Sequence, residues 1–438
     1  MKNSRPSMTR RGFLKRAAGS AAAAIAAPYL ILSGVLAAPG RPGANDRIGV
    51  AGIGIGRQGS GVLARAVKNS KVRFIGIADV NLPRAVETAK KHGGFGVQDY
   101  RRILDRNDVD AIITATPEHW RALICIQACQ AGKDVYAEKP LSLTIHEGRL
   151  MVEAARKHKR VFQVGSQQRS MAANQAGSKF IREGGLGKIQ KVIVMNYPSP
   201  FYCDLPAEPI PPGLDWNMWC GCTEPVPYHS QLYVPRGKPG WLSFQPYSGG
   251  EMSGWGAHGF DQVQSALGTD ETGPVEVWVE GDKFDPPTIA KPESNKRPNR
   301  ICSEPKVFFR YANGVVMEPG DSPPFGAVFI GEKGKCTITR GALVSDPPEL
   351  VREALKGAAK GDLHVENWIE CIQSRRKPNA DVEIGHRSAT VCHLGNIARW
   401  TNRKVRWDSA SETFPDDADA NKLLDRHRRK PYELPETV

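Results

Sequence analysis

Glycines 54, 56 and 59 in "GIGIGRQGSG" have the spacing G-x-G-x-x-G, and Asp79 follows twenty residues after the last of them. Between a strand and a helix this pattern makes a dinucleotide cradle. Gly54 permits the tight turn, Gly56 lets backbone approach a pyrophosphate, and Gly59 allows the helix to pack closely, with the helix N-terminus facing the phosphates. A carboxylate at the end of the next strand accepts hydrogen bonds from a ribose 2′-hydroxyl, which is the place of Asp79. The same charge repels a 2′-phosphate. NAD is therefore expected over NADP, with Arg84 close enough in sequence to keep NADP open.

The surrounding pattern supplies the elements such a cradle needs. "RIGV" is an apolar run entering the glycines, and "VRFIGIADV", "VDAIITATP", "DVYAEKP" and "RVFQVGSQ" are further buried strands, separated by helical stretches such as "HWRALICIQACQAG" and "TIHEGRLMVEAARKHK". Strand and helix alternating at this spacing predict a parallel, doubly wound α/β sheet with right-handed crossovers. After Arg169 the rhythm changes. One helix, "NQAGSKFIREGG", precedes β-rich segments including "KIQKVIVMNY", "VEVWVEG", "KVFFRYANGVVME" and "AVFIGEKGKCTITRG". Strands following one another without helices predict an α+β domain with a largely antiparallel open sheet. The expected boundaries are a leader over 1–44, a dinucleotide-binding domain over 45–168, a second domain over 169–385, and a C-terminal helix and tail over 386–438.

The leader reading rests on "TRRGFLKRAAG" followed by an alanine-rich apolar run. Paired Arg10 and Arg11 ahead of Phe13 and Leu14 have the form of a twin-arginine export signal, so the expected partner is the twin-arginine translocation machinery and the expected location the periplasm. If the leader is not cleaved, it anchors the protein to the membrane. That route carries proteins already folded around a cofactor, which fits a nucleotide loaded in the cytoplasm. The net charge of +14 falls to +7 once the seven Lys and Arg of residues 1–44 are set aside. The surplus is spread out, ending in "DRHRRKPYEL", and reads as a solvated basic face with no nucleic-acid partner. The nine cysteines are an odd number, and Cys220 and Cys222 lack the second ligand pair of a zinc site, so no metal is expected.

From "TPEHWRALICIQACQAGKDVYAEKPLS", residues 116–142, through "GGEMSGWGAHGFDQ", residues 249–262, the chain resembles the Gfo/Idh/MocA oxidoreductases, in particular their secreted branch. The resemblance implies a Rossmann domain, a substrate domain that often mediates homo-oligomer contacts, and a sugar or cyclitol substrate. It implies that Lys139 of the E-K-P motif reaches the nicotinamide and the reacting hydroxyl, where an ammonium polarises a developing alkoxide. It implies that Glu138 holds the cofactor or orients Lys139, and that Thr116, Pro117 and His119 contact cofactor at the carboxyl edge of the sheet. His258 matches the catalytic histidine that accepts the hydroxyl proton.

One departure stands out. Many relatives carry an aspartate four residues before that histidine, and here the position is Gly254. Asp261, one helical turn after His258, can orient the ring instead, and Glu251 is another candidate. Trp216, Trp219, Tyr228, Tyr233, Trp241 and Trp255 fall in or beside the long loop region 198–250. They either stack on sugar rings, Trp219, Tyr233 and Trp255 foremost, or form a satellite core under the loops. Arg169 and Gln167 are expected to line the cleft between the domains. Three functions are compatible with these residues: an NAD-dependent oxidoreductase acting on a secondary hydroxyl with tightly bound cofactor, a glycosidase or lyase working through a transient keto-sugar, and a noncatalytic sugar-binding protein.

Overall fold

The first sheet is fully parallel, with strands β1 (Ile48–Ile53), β2 (Val72–Ala78), β3 (Phe95–Val97), β4 (Ala111–Thr114), β5 (Asp134–Ala137) and β6 (Phe162–Val164) in the order β3-β2-β1-β4-β5-β6. All six residues of β1 and all four of β4 and β5 are buried. Such runs are apolar without alternation because helices cover both faces of a parallel sheet. The computed structural model describes residues 43, 46–236, 240–292, 302–356 and 363–438. The proposed export leader lies outside them.

Helices α1 (Arg57–Val67), α2 (Leu82–Lys91), α3 (Glu118–Gln130) and α4 (Ile145–Lys157) make the crossovers. Their starts are legible in side chains. Asn81 caps α2 by accepting from the Arg84 amide, and Thr144 caps α4 by accepting from that of Glu147. Helix α5 (Ala172–Arg182) then leads into the second sheet.

That sheet has eight strands: β7 (Ile189–Val194), β8 (Pro274–Glu280), β9 (Lys306–Tyr311), β10 (Val316–Pro319), β11 (Ala327–Gly331), β12 (Gly334–Thr339), β13 (Ala342–Asp346) and β14 (Val405–Arg406). Their order is β13-β12-β11-β7-β10-β9-β8-β14, antiparallel except where β10 pairs with β7. Helix α6 (Gly256–Leu267) packs on this sheet.

The C-terminal boundary differs from expectation. Helix α7 (His364–Ser374) returns to the first sheet, where Val365, Trp368, Ile369 and Ile372 join the core beside α1. Helix α8 (Val382–Thr401) runs unbroken across residues 385 and 386. Val382 and Ala389 enter the core of the first domain, while Val391, Leu394 and Ile397 enter that of the second. Residues Ile48–Val438 accordingly form one compact unit.

The basic C-terminal cluster is also not a solvated face. Arg426 and Arg428 both bond Glu147 Oε1 at 2.9 Å, and the Glu147 side chain is fully buried. Arg429 reaches the Gly221 carbonyl at 3.0 Å, and Tyr432 packs edge-on against Trp120 at 5.1 Å. Sequence shows the charges but not the buried carboxylate from α4 that gathers them. All nine cysteines are free thiols, with Cys220 and Cys222 buried.

Candidate active site

β1 runs into Gly54, whose φ of +66° turns the chain. A Cβ on Gly54 would stand 2.3 Å from Thr116 Cγ2, so this turn holds no side chain. A Cβ on Gly56 would meet nothing within 4 Å and would project into open space at the start of α1, whereas one on Gly59 would lie 3.0 Å from Ala115 Cβ. The bare turn and helix N-terminus form one wall of a cavity of about 440 Å³ between the two domains.

At one end of this cavity, Asp79 accepts from Arg84 Nη2 at 2.6 Å, from Arg84 Nε at 3.0 Å and from the Asn81 amide at 2.9 Å. Tyr233 belongs to this end: Arg84 lies over its ring at 5.6 Å, and Asn81 Nδ2 donates to its hydroxyl at 3.4 Å. The sequence reading placed Tyr233 with substrate; the folded loop brings it to the cofactor carboxylate instead.

Lys139 and His258 line the same cavity, β5 delivering the lysine and α6 the histidine, close enough for the lysine charge to act on the imidazole. Glu138 Oε1 accepts from Gln58 Nε2 at 3.0 Å and from Gln167 Nε2 at 2.9 Å. Lys139 Nζ donates to the Gly254 carbonyl at 2.7 Å. Burial, then the nearby Arg236 charge, bring its ammonium down to about 8 against the opposing pull of Glu138 and Glu251. Burial likewise holds His258 well below its ordinary range, with Lys139, Arg340 and Arg236 acting in the same direction. The imidazole is neutral at physiological pH and able to accept a proton. Its ring sits edge-on to Phe325 at 5.3 Å.

Thr116, Pro117, Trp219 and Trp255 also line the cavity. Three expected residues do not. His119 is buried behind the wall, bonded to the Trp219 carbonyl at 2.9 Å and packed between the Trp219 and Tyr247 rings. Burial pushes it down to about 3, so it serves as a neutral core residue. Asp261 and Arg169 are bound to each other: Arg169 Nε lies 3.0 Å from both Asp261 oxygens, and Ser388 Oγ donates to the same carboxylate at 2.7 Å. One turn along α6 from His258, Asp261 faces α8 and the Arg169 turn rather than the imidazole.

At Gly254 the missing aspartate has a physical counterpart. A Cβ there would lie 2.5 Å from Glu251 Oε2, and that carboxylate pairs with Arg236 at 2.9 and 3.0 Å. The loop aromatics divide: Trp216 and Tyr228 belong to a satellite core, Trp216 stacked on Trp219 at 4.3 Å, while Trp219, Tyr233, Trp241 and Trp255 line the cavity.

Residues 201–434 match the oxidoreductase family described as a C-terminal alpha/beta domain, and residues 47–166 match its NAD-binding Rossmann fold. The chain belongs to the Gfo/Idh/MocA oxidoreductase family. Among relatives of this Gfo/Idh/MocA protein, levoglucosan dehydrogenase of Pseudarthrobacter phenanthrenivorans is 33% identical over 143 residues, 32% of this chain and 35% of that protein. A glycosyl hydrolase family 109 protein of Shewanella pealeana is 31% identical over 169 residues, 34% of this chain and 37% of that protein. The chain thus spans about a third of the length of these curated relatives. A solved levoglucosan dehydrogenase, in complex with NADH and levoglucosan, shares the fold at a TM-score of 0.56 and 17% identity, covering 82% of this chain and 99% of that one.

NAD fits the residues present: a side-chain-free turn, the open face of Gly56 at the α1 N-terminus, and a buried carboxylate at Asp79. Sequence reading missed Gln58, Arg236 and Arg340. Gln58 occupies a variable place of the glycine motif, in the first turn of α1, and its position was available as a signal. Arg236 and Arg340 come from a loop and a hairpin turn, where no periodicity marks which way a side chain faces.

Proposed function

We propose that this protein is an NAD-dependent oxidoreductase that oxidises a secondary hydroxyl of a sugar or cyclitol. The observation that carries the reading is that Lys139 and His258 line the same cavity as the glycine turn and Asp79, with the lysine charge acting on the imidazole. Bound NAD supplies the hydride acceptor. The Lys139 ammonium, freed from the Gly254 carbonyl, donates to the substrate oxygen and stabilises the charge that develops as its proton leaves. Neutral His258 takes that proton. Glu138, held by Gln58 and Gln167, fixes the strand end that carries Lys139. Trp255 offers an aromatic face to the sugar ring.

The twin-arginine leader supports export with the cofactor already seated. Free NAD is scarce outside the cytoplasm, so the site then works by a closed redox cycle in which one substrate restores what another spent. The test is to add a panel of sugars and cyclitols to the purified protein and follow the near-ultraviolet absorbance of reduced nicotinamide. Reduction that disappears in Lys139→Met and His258→Ala is expected; no reduction by any member overturns the reading.

Similarity to the family 109 protein favours one second reading, hydrolysis of a glycoside through a transient ketone with no net redox change. Release of an aryl aglycone without added NAD distinguishes it.

A further inference from the structure

Three cations surround the proton-accepting end of the cavity, and their counter-charges are unequal. Arg236 is neutralised by Glu251 through two hydrogen bonds. Lys139 donates a hydrogen bond to a carbonyl, and Glu138, its neighbour in sequence, is occupied by two glutamine amides. Arg340 bonds only the neutral Gln167 Oε1, at 3.2 Å, and no described carboxylate pairs with it. Its guanidinium lies over the Phe325 ring at 5.3 Å, and the other neighbours of that ring are His258 at 5.3 Å and Trp255 at 5.2 Å. One aromatic ring therefore joins an uncompensated cation to the histidine and to an aromatic face.

The position of Arg340 is built. It sits in the turn between β12 and β13, where Gly341 has a φ of +72°. Buried Asn174 clamps that turn from both sides, accepting from the Gly341 amide at 2.9 Å and donating to the Thr339 carbonyl at 3.0 Å. Gln262 Oε1 accepts in turn from Asn174 Nδ2 at 2.7 Å, and the Gln262 amide is itself anchored on Ser178 Oγ at 2.8 Å. A buried polar network that fixes the backbone under one exposed arginine keeps its planar fork at the cavity mouth. The glycine turn offers dinucleotide phosphates the bare α1 N-terminus, whereas Arg340 shares the Phe325 ring with His258.

We propose that the substrate is an acidic sugar, and that Arg340 receives its carboxylate while Lys139 and His258 address the hydroxyl. The assignment rests on the function proposed above. A fork-to-carboxylate contact at this mouth selects a hexuronate over the neutral hexose that differs from it only at the terminal carbon.

The test uses the full chain loaded with NAD, titrated calorimetrically with D-glucuronate against D-glucose and with D-galacturonate against D-galactose. A charge-assisted bidentate contact predicts that at least one uronate binds about tenfold or more tighter than its neutral partner, a preference that shrinks with added salt. Arg340→Gln is expected to bring each pair to within about threefold, and Arg340→Lys to keep part of the preference as a point charge without the fork. Equal or weaker binding of the uronates, binding of neither member, or a preference unchanged in Arg340→Gln overturns the assignment. Uronate binding that depends on Arg340 without nicotinamide reduction leaves the assignment standing and overturns the proposed reaction.

Discussion

The carboxylate of Glu251 fills the space that a side chain on Gly254 would need: a Cβ there would lie 2.5 Å from Glu251 Oε2, with Leu242 Cδ2 at 2.8 Å. The same glycine offers its carbonyl to Lys139 at 2.7 Å. Adding one methyl therefore both overpacks the space beside Glu251 and moves an active-site acceptor. Gly254→Ala is expected to lower stability by about 1–3 kcal/mol in urea titration and to reduce kcat more than it raises KM. Unchanged stability would show that the Glu251 side chain moves aside freely.

The electrostatics of the site predict an unusual pH profile. Lys139 is cationic below about 8, and His258 is neutral throughout the physiological range because burial and nearby cations depress it. With the charged lysine and the neutral histidine as the active forms, kcat/KM for oxidation of a neutral sugar should be flat on the acid side through the ordinary histidine range. It should fall as pH rises through about 8. An acid limb near the ordinary histidine value, or no alkaline limb before the ordinary lysine range, would contradict these assignments.

Asp261 gives a test that separates structure from chemistry. Its oxygens are committed to Arg169 and Ser388. Asp261→Asn leaves buried Arg169 with Asp270 as its remaining carboxylate, at 2.9 Å, and is expected to cost about 1–3 kcal/mol. The variant should melt earlier yet keep the shape of the wild-type pH profile. A shifted pH profile would mean that the carboxylate reaches His258 after all.

The C-terminal clasp has its own pH signature. Burial opposes ionisation of Glu147, but Arg426 and Arg428 override it and hold the carboxyl down at about 2, below its ordinary 4.5. A depressed carboxyl contributes stability that is complete above the unfolded value and is lost as pH falls from 4.5 through about 2. Glu147→Gln should destabilise by about 3–5 kcal/mol at neutral pH, with the difference from wild type narrowing in that acid window. Because Arg429 of the same clasp bonds the Gly221 carbonyl, two residues from cavity-lining Trp219, the variant should also hold NAD less tightly, as read by tryptophan fluorescence.

Much of this site was legible because backbone motifs announce themselves. The glycines and Asp79 sit at a helix start and a strand end that the local pattern marks, while Lys139 and His258 were legible only through the family resemblance; all of them but Gly59 line the cavity. Five of the six strands of the first sheet were readable as apolar runs. β3 was not, being three half-buried residues, "FGV", with no run to see. Helical spacing put Asp261 one turn from His258, but one turn fixes a neighbourhood and not a partner; Arg169, ninety-two residues earlier, captured the carboxylate. His119 failed for a similar reason, since the first turn of α3 points partly into the cavity and partly into the layer behind it. The C-terminal arginines and Arg340 depend on contacts more than a hundred and seventy residues away in sequence, which local pattern does not encode.

The most direct test of the central claim is to purify the protein without added cofactor, denature it, and quantify NAD(H) in the supernatant by absorbance and mass. Near-stoichiometric NAD(H) is predicted, as expected for a cavity whose glycine turn, Asp79 and covering loop are organised around a dinucleotide before any sugar arrives. A protein that releases none, and that also fails to bind NAD when it is supplied, would contradict the account.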